Sequence, residues 1–306
     1  MRVIFIVSGE TMPEALLKVR NLKKYFTSER RWLLDLGQKK VVHAVDGVSF
    51  SVNRRETLSL VGETGCGKTT TGKMCLRFIE PTEGEIFFDG HDILSLDKKG
   101  MKKFRRDAQM IFQNPYAALN PRKSVEDILG LPLEVHGICS GEDKRERIFE
   151  LLEKVGLSSE HIGRYSHEFS GGQRQRIVIA RALALEPKFI VADEPVASLD
   201  LPIQAQILNL LQDLKEEQGL SYLLIAHNLS LVRFMSHSTL IMYLGKVVEF
   251  ASTKELFNVP LHPYTKALMS SAPLLDITMG KMKKSNIKRI KLRGELPSPI
   301  NPPSGC

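Results

Sequence analysis

Long apolar runs are missing from this sequence. No stretch approaches the 18 or more apolar residues that a membrane helix requires, so the chain does not span a bilayer on its own. The early run Val3–Val7 is too short for the apolar centre of a signal peptide, and no small-residue cleavage site follows it. Cysteine is scarce. The four residues, Cys66, Cys75, Cys139 and Cys306, have no paired spacing, which argues for free thiols in a reducing compartment and against a disulfide framework. No internal repeat of about 20–50 residues is present, so repeat architectures are poor fits. With 42% hydrophobic and 25% charged residues over 306 positions, the composition also excludes disorder, collagen and coiled coil. The length suits one large domain with attachments.

Acidic residues are absent from one segment, 281–293, which holds seven Lys and Arg. The formal net charge of +8 would suggest a nucleic-acid partner, but the seven taken from it leave +1 for the rest of the chain. The basic character therefore belongs to a tail, and no nucleic-acid partner is expected. That tail is read as a solvated linker or exposed strand, with contact to anionic lipid headgroups as the alternative.

Short apolar runs alternate with longer helical patterns, which predicts an α/β fold. Early strands are expected at 17–19, 48–52, 57–61 and 85–88. A glycine-rich turn at 62–67 should open a helix running to about Ile79, short of Pro81. A mostly helical stretch, about 114–170, interrupts the alternation, and within it Ile148, Leu151, Leu152 and Val155 share one helical face. Helices at 172–185, 202–218 and 229–236 then alternate with strands at 188–192, 220–226, 239–243 and 246–250. Composition turns Pro-rich, Ser-rich and basic after about 258.

Gly62-Glu63-Thr64-Gly65-Cys66-Gly67-Lys68-Thr69 matches G-x-x-x-x-G-K-[ST] between a strand and a helix. Glycines let the turn curl until successive N–H groups face one anion, and the helix N-terminus adds partial positive charge. Lys68 can reach the β- and γ-phosphates of a nucleotide, and the Thr69 hydroxyl suits Mg²⁺. Thr70 follows in the same turn. Further on, the apolar strand ending in Asp193-Glu194 brings two carboxylates to the carboxyl edge of the sheet, where ligands bind. Asp193 is expected to hold Mg²⁺ through water and Glu194 to act as general base. A solvated acidic pair that merely ends a strand is the alternative.

Phe169-Ser170-Gly171-Gly172-Gln173-Arg174-Gln175-Arg176 resembles the signature motif of ABC-transporter ATPases. Other motifs of that family follow its order. Gln113 resembles the Q-loop glutamine, Ser198-Leu199-Asp200 the D-loop, and His227 the switch histidine. The resemblance implies a P-loop ATPase core with an inserted helical subdomain (114–170), an N-terminal antiparallel β subdomain and a small C-terminal extension. It further implies that ATP and Mg²⁺ are bound, with Gln113 contacting Mg²⁺ and water, His227 the γ-phosphate, and Phe26, in preference to Tyr25, the adenine. Ser170, Gly171, Gly172, Gln173 and Asp200 would serve the nucleotide of a second ATPase subunit in a head-to-tail dimer. The ATPase domain is taken as 13–258, after a misassigned start or frayed end over 1–12, with the extension at 259–306.

His262-Pro263-Tyr264-Thr265-Lys266-Ala267-Leu268 is similar to an element of oligopeptide and dipeptide importer ATPases, as are the stretches 293–299 and 301–306, the insert between Tyr25 and Val45, and 114–121. The chain looks most like the second, F-type ATPase of such an importer. That likeness implies a partner ATPase (a paralogue), two transmembrane permease subunits, an extracytoplasmic binding protein, and a peripheral place on the cytoplasmic face of the cell membrane. Peptides are the default cargo, with nickel and oligosaccharides as alternatives. Asn228 stands where the family usually has Asp, Val196-Ala197-Ser198 where Val-Ser-Ala is common, and Thr64 and Thr70 where serines are usual. One cysteine at Cys306, where relatives continue with more, is not expected to hold an iron–sulfur cluster, and the end is read as a truncation. A soluble ABC ATPase acting on DNA is the competing class, but no long insertion separates the phosphate loop from the signature.

Overall fold

The computed structural model describes residues 15–27, 41–271, 274–276, 281–283, 290, 297–298, 300 and 302. The expectations for 1–12, for 28–40 of the insert, for most of 281–293 and for Cys306 lie outside the described residues. Two units are present: 1–95 with 224–306, and 96–223.

The first unit opens with β1 (Ala15–Thr27) and β2 (Val41–Asn53), paired antiparallel with Val19 opposite Phe50. Both outrun the short strands expected from the sequence. Their pairing slips between Val19 and Leu22, where Asn21 takes a left-handed φ of 44°, and such a bulge breaks the apolar alternation by which a strand is read. The next strand, β3 (Thr57–Val61), is buried over its whole length, as a strand covered on both faces should be. It feeds the loop 62–67 and then α1 (Lys68–Cys75). This helix stops four residues before Ile79. Arg77 turns left-handed (φ 51°), its N–H bonds the Met74 carbonyl at 2.8 Å, and the Phe78 N–H bonds Lys73 at 2.8 Å. That is a helix-terminating pair usually given to glycine. A four-stranded antiparallel sheet, β2-β1-β4-β5, is completed by β4 (Glu83–Phe88) and β5 (His91–Asp92).

The second unit carries α2 (Lys98–Asp107), β6 (Ala108–Ile111), the single turn α3 (Pro115–Ala118), α4 (Val125–His136) and α5 (Gly141–Lys154). After two 3₁₀ turns come α6 (Gly171–Leu183), β7 (Phe189–Asp193) and α7 (Leu201–Gln218). β6 and β7 run parallel with Met110 opposite Val191. Ile148, Leu151, Leu152 and Val155 are all buried, as their helical spacing requires. Three arginines of α6 fasten the helical segment to it through backbone carbonyls. Arg174 donates to Ser166 (2.7 Å) and His167 (2.9 Å), Arg176 to Val155 (2.5 Å), and Arg181 to Ala118 (2.6 Å).

β8 (Ser221–Ala226) leads back into the first unit, which continues with α8 (Leu229–Met235), β9 (Ser238–Tyr243), β10 (Lys246–Ser252), α9 (Thr253–Asn258) and α10 (Pro263–Ser271). Strand order is β10-β9-β3-β8 in the first unit and β8-β7-β6 in the second. β3 and β9 are parallel, whereas β9 and β10 form a hairpin whose two loop residues, Leu244 and Gly245, both have positive φ, the turn that suits strand twist. A last hairpin joins β11 (Leu274–Asp276) to β12 (Lys281–Lys283). Among the described residues, no helix is long and apolar enough to cross a membrane.

Leu152 is fully buried in the core of the second unit. Leu152→Ala should therefore lower unfolding free energy by about 2–5 kcal/mol, read as a shifted midpoint in urea denaturation.

Candidate nucleotide-binding site

The loop after β3 is shaped by how closely other backbone approaches it. A side chain on Gly67, whose φ is 104°, would meet the Ala44 carbonyl at 2.2 Å, and one on Gly62 would meet the Met242 carbonyl at 2.3 Å. No L-residue with a Cβ fits there without displacing β2 or β9. From the β9–β10 turn, the Gly245 N–H donates to the Cys66 carbonyl at 3.1 Å. Within this frame Lys68 is buried, and its ammonium donates to the carbonyls of Gly62 (2.8 Å) and Glu63 (2.9 Å). The cation therefore lies inside the curve of the loop. Thr69 and Thr70 are half-buried on the first turn of α1, where N–H groups have no intrahelical acceptor and favour an anion. Thr64 and Gly65 are exposed at the rim, and Cys66 is buried.

The two aromatics near the end of β1 differ sharply. Tyr25 packs inward, its ring 4.4 Å from that of His43 and its hydroxyl donating to Asp46 at 2.7 Å. Burial and then that carboxylate push the phenol up to about 12. Phe26 instead is exposed, with the Lys24 ammonium 5.2 Å from its ring centre. Of the two rings, Phe26 is the more exposed. His227 is exposed at the carboxyl end of β8. Asn228 then caps α8, its side-chain oxygen accepting from the Ser230 N–H at 2.9 Å, so the departure from Asp preserves the cap.

The second unit holds the acidic residues. Asp193 is buried at the carboxyl end of β7. Glu194 follows with a left-handed φ of 44°. That conformation costs a non-glycine residue about 1–3 kcal/mol. Its carboxylate accepts from the Gln113 side-chain amide at 2.7 Å, across 81 residues of sequence. The structure thus brings these two predicted residues together. Ser170 and Gln173 are brought together as well, in a reciprocal cap at the start of α6: the Ser170 hydroxyl accepts from Gln173 N–H (3.3 Å), and the Gln173 side chain accepts from Ser170 N–H (3.0 Å). Gly171 and Gly172 are half-buried on the first turn, and Asp200 is exposed at the start of α7.

The oxygen donors expected for Mg²⁺, namely Thr69, Asp193 and Gln113, are of the hard type this cation takes. Among the described residues no three His, Cys, Asp or Glu side chains converge as an all-protein metal cage.

Two features escaped the sequence reading. Of the arginines of α6, Arg174 and Arg176 lie inside the signature region and Arg181 beyond it, and their spacing gave no sign of the carbonyls they would find. Tyr264 of α10 reaches the phosphate loop, its hydroxyl accepting from the Glu63 N–H at 3.2 Å.

Residues 45–197 match the family model described as ABC transporter, and residues 248–306 match the one described as oligopeptide/dipeptide transporter, C-terminal region. The chain is 50% identical over 296 residues to the oligopeptide transport ATP-binding protein AppF of Bacillus subtilis (strain 168), covering 96% of this chain and 88% of that protein. It is 46% identical to the dipeptide transport ATP-binding protein DppF of Escherichia coli (strain K12), covering 97% and 86%. Among solved structures, it resembles a dimeric post-hydrolysis state of the ATP-binding cassette MJ0796 bound to ADP and phosphate. That match has a TM-score of 0.67 and 30% identity, over 78% of this chain and 98% of the other.

Proposed function

This chain belongs to the ABC transporter ATPase family, in the branch that carries the oligopeptide/dipeptide transporter C-terminal region, and from that premise we propose that it is the energy-coupling subunit of a peptide importer. The observation that carries the reading is the pairing of an ATPase core with that C-terminal region, at about half identity to peptide-transport ATPases along nearly the whole chain. We take the ATPase domain as 13–258, its helical subdomain as 114–170 and the extension as 259–306.

In this proposal the loop Gly62–Thr70 cradles the phosphates of ATP. Its backbone N–H groups face the anion, and Lys68 supplies the charge that offsets the β- and γ-phosphates. Phe26 stacks on the adenine. Thr69, Asp193 and Gln113 hold Mg²⁺, which when bound neutralises phosphate charge. Glu194 accepts a proton from the attacking water, and Gln113, already bonded to it, fixes the direction of that carboxylate. His227 contacts the γ-phosphate. Ser170 can serve a partner's nucleotide without losing its cap, because its hydroxyl accepts from Gln173 and keeps its proton to donate. Gly171, Gly172, Gln173 and Asp200 lie along the same partner-facing segment. ATP binding closes a head-to-tail dimer with a paralogous ATPase, and hydrolysis reopens it. Two permease subunits dock the pair to the cytoplasmic face of the membrane, with an extracytoplasmic binding protein delivering the peptide.

Three outcomes are expected. Affinity purification of the tagged full chain from its own membranes should recover two permease subunits and a second ATPase. Recovery of duplex DNA in their place would redirect the function. Lys68→Ala should abolish nucleotide binding or weaken it severely, and normal ATP affinity in the folded variant would remove the loop from the site. Glu194→Gln should lower turnover by about 10²–10⁴-fold while Mg-ATP still binds, because the amide keeps the shape and an acceptor for Gln113 but takes no proton. Size-exclusion chromatography with Mg-ATP and the cognate partner should then show a persistent dimer. Turnover near the unmutated rate would transfer the base role to His227.

A further inference from the structure

α10 is positioned by a buried carboxylate. Glu249 of β10 is only 3% exposed, and its two oxygens accept from the N–H groups of Leu261 (2.8 Å) and His262 (3.0 Å), the residues that lead into the helix. His262 Nδ1 then accepts from the Tyr264 N–H at 3.2 Å. Tyr264 is buried, with its ring 4.6 Å from that of Tyr243, the last residue of β9. Its hydroxyl ends on the Glu63 N–H. The phosphate loop is therefore held on one side by the β9–β10 turn, through Gly245, and on another by a phenol whose placement is set from the strand that follows that turn.

We infer that Tyr264 is a positioning residue for the phosphate loop, holding its second residue so that the loop is curled before nucleotide arrives. A loop curled in advance loses less conformational freedom when the phosphates bind, and affinity rises accordingly. Coupling of this kind is reciprocal, so nucleotide should also steady α10. Burial holds the phenol far above its ordinary pKa, so it stays a neutral hydroxyl throughout the working range. The inference rests on the assignment of 62–69 as the phosphate loop.

Tyr264→Phe in the full chain keeps the ring against Tyr243 and removes only the hydroxyl. Titration calorimetry with MgADP should show affinity weakened by about 2–10-fold, the range expected for one neutral hydrogen bond. In the unmutated chain, MgADP should slow amide exchange over 262–271, and in Tyr264→Phe that slowing should shrink or vanish. Loss of a purely structural contact would lower melting temperature without uncoupling α10 from the nucleotide. Unchanged MgADP affinity in Tyr264→Phe, or no slowing over 262–271 in the unmutated chain, would overturn the inference. Lys68→Ala, run alongside, separates the two ideas. If it binds MgADP as well as the unmutated chain, the phosphate-loop assignment fails and takes the inference with it. If it does not bind while Tyr264→Phe matches the unmutated chain, only the inference falls.

Discussion

The loop 62–67, which we propose cradles phosphate, must keep most of its N–H groups for that anion and spends only those of Glu63 and Cys66 on its own shape. The frame must come from elsewhere, and that constraint organises the first unit. The carbonyls of Ala44 and Met242 press against Gly67 and Gly62 from two strands, leaving no space for a side chain. Gly245 fixes the Cys66 carbonyl, and Asp46 in turn donates its N–H to Gly245. Tyr25 and Lys246 both bond the Asp46 carboxylate. Burial works against ionisation of that group, yet these partners hold it below the usual carboxylate range, so the brace stays charged at neutral pH. β2, β9 and β10 thus serve the loop as much as they serve the sheet.

The second unit applies a comparable device to a single side chain. β7 must end with its carboxylates at the edge of the sheet, and the left-handed turn at Glu194 redirects the chain at once. Strain there is offset by the burial of every residue of β7 before it and by the bond from Gln113. The arginines of α6 act on the same unit. Because they bind carbonyls rather than carboxylates, the helical segment is fastened to α6 without burying opposed charges, which would carry a desolvation cost.

Local chemistry made much of this legible in the sequence. The glycine spacing of the loop and the apolar strand before Asp193-Glu194 are both encoded within a few residues, so pattern alone located them. Contacts set by the fold were not legible. Gln113 and Glu194 are 81 residues apart, and Glu63 and Tyr264 are 201 apart. Nothing in either neighbourhood predicts the other, and His262–Leu268 marked only a branch of the family. Element ends failed for a different reason. α1 terminates on a left-handed arginine where a glycine would have signalled the stop, and β1 runs through a bulge at Asn21 that disguises its alternation.

Cys66 shows how the frame also protects the charge of the loop. Its sulfur lies 4.0 Å from the Lys68 ammonium, close enough for a thiolate to pair with it. A thiolate would cancel the one side-chain cation inside the loop before any phosphate reached it. Burial pushes the thiol above its ordinary value, and this outweighs the opposing pull of Lys68. The group therefore stays neutral, a small and weakly polar filler at a position packed against backbone. Cys66 is only 4% exposed, and a Cβ on Gly62 would stand 2.7 Å from its sulfur. Steric closure and charge are linked here, because a neutral sulfur leaves the positive charge of the Lys68 ammonium uncancelled inside the loop.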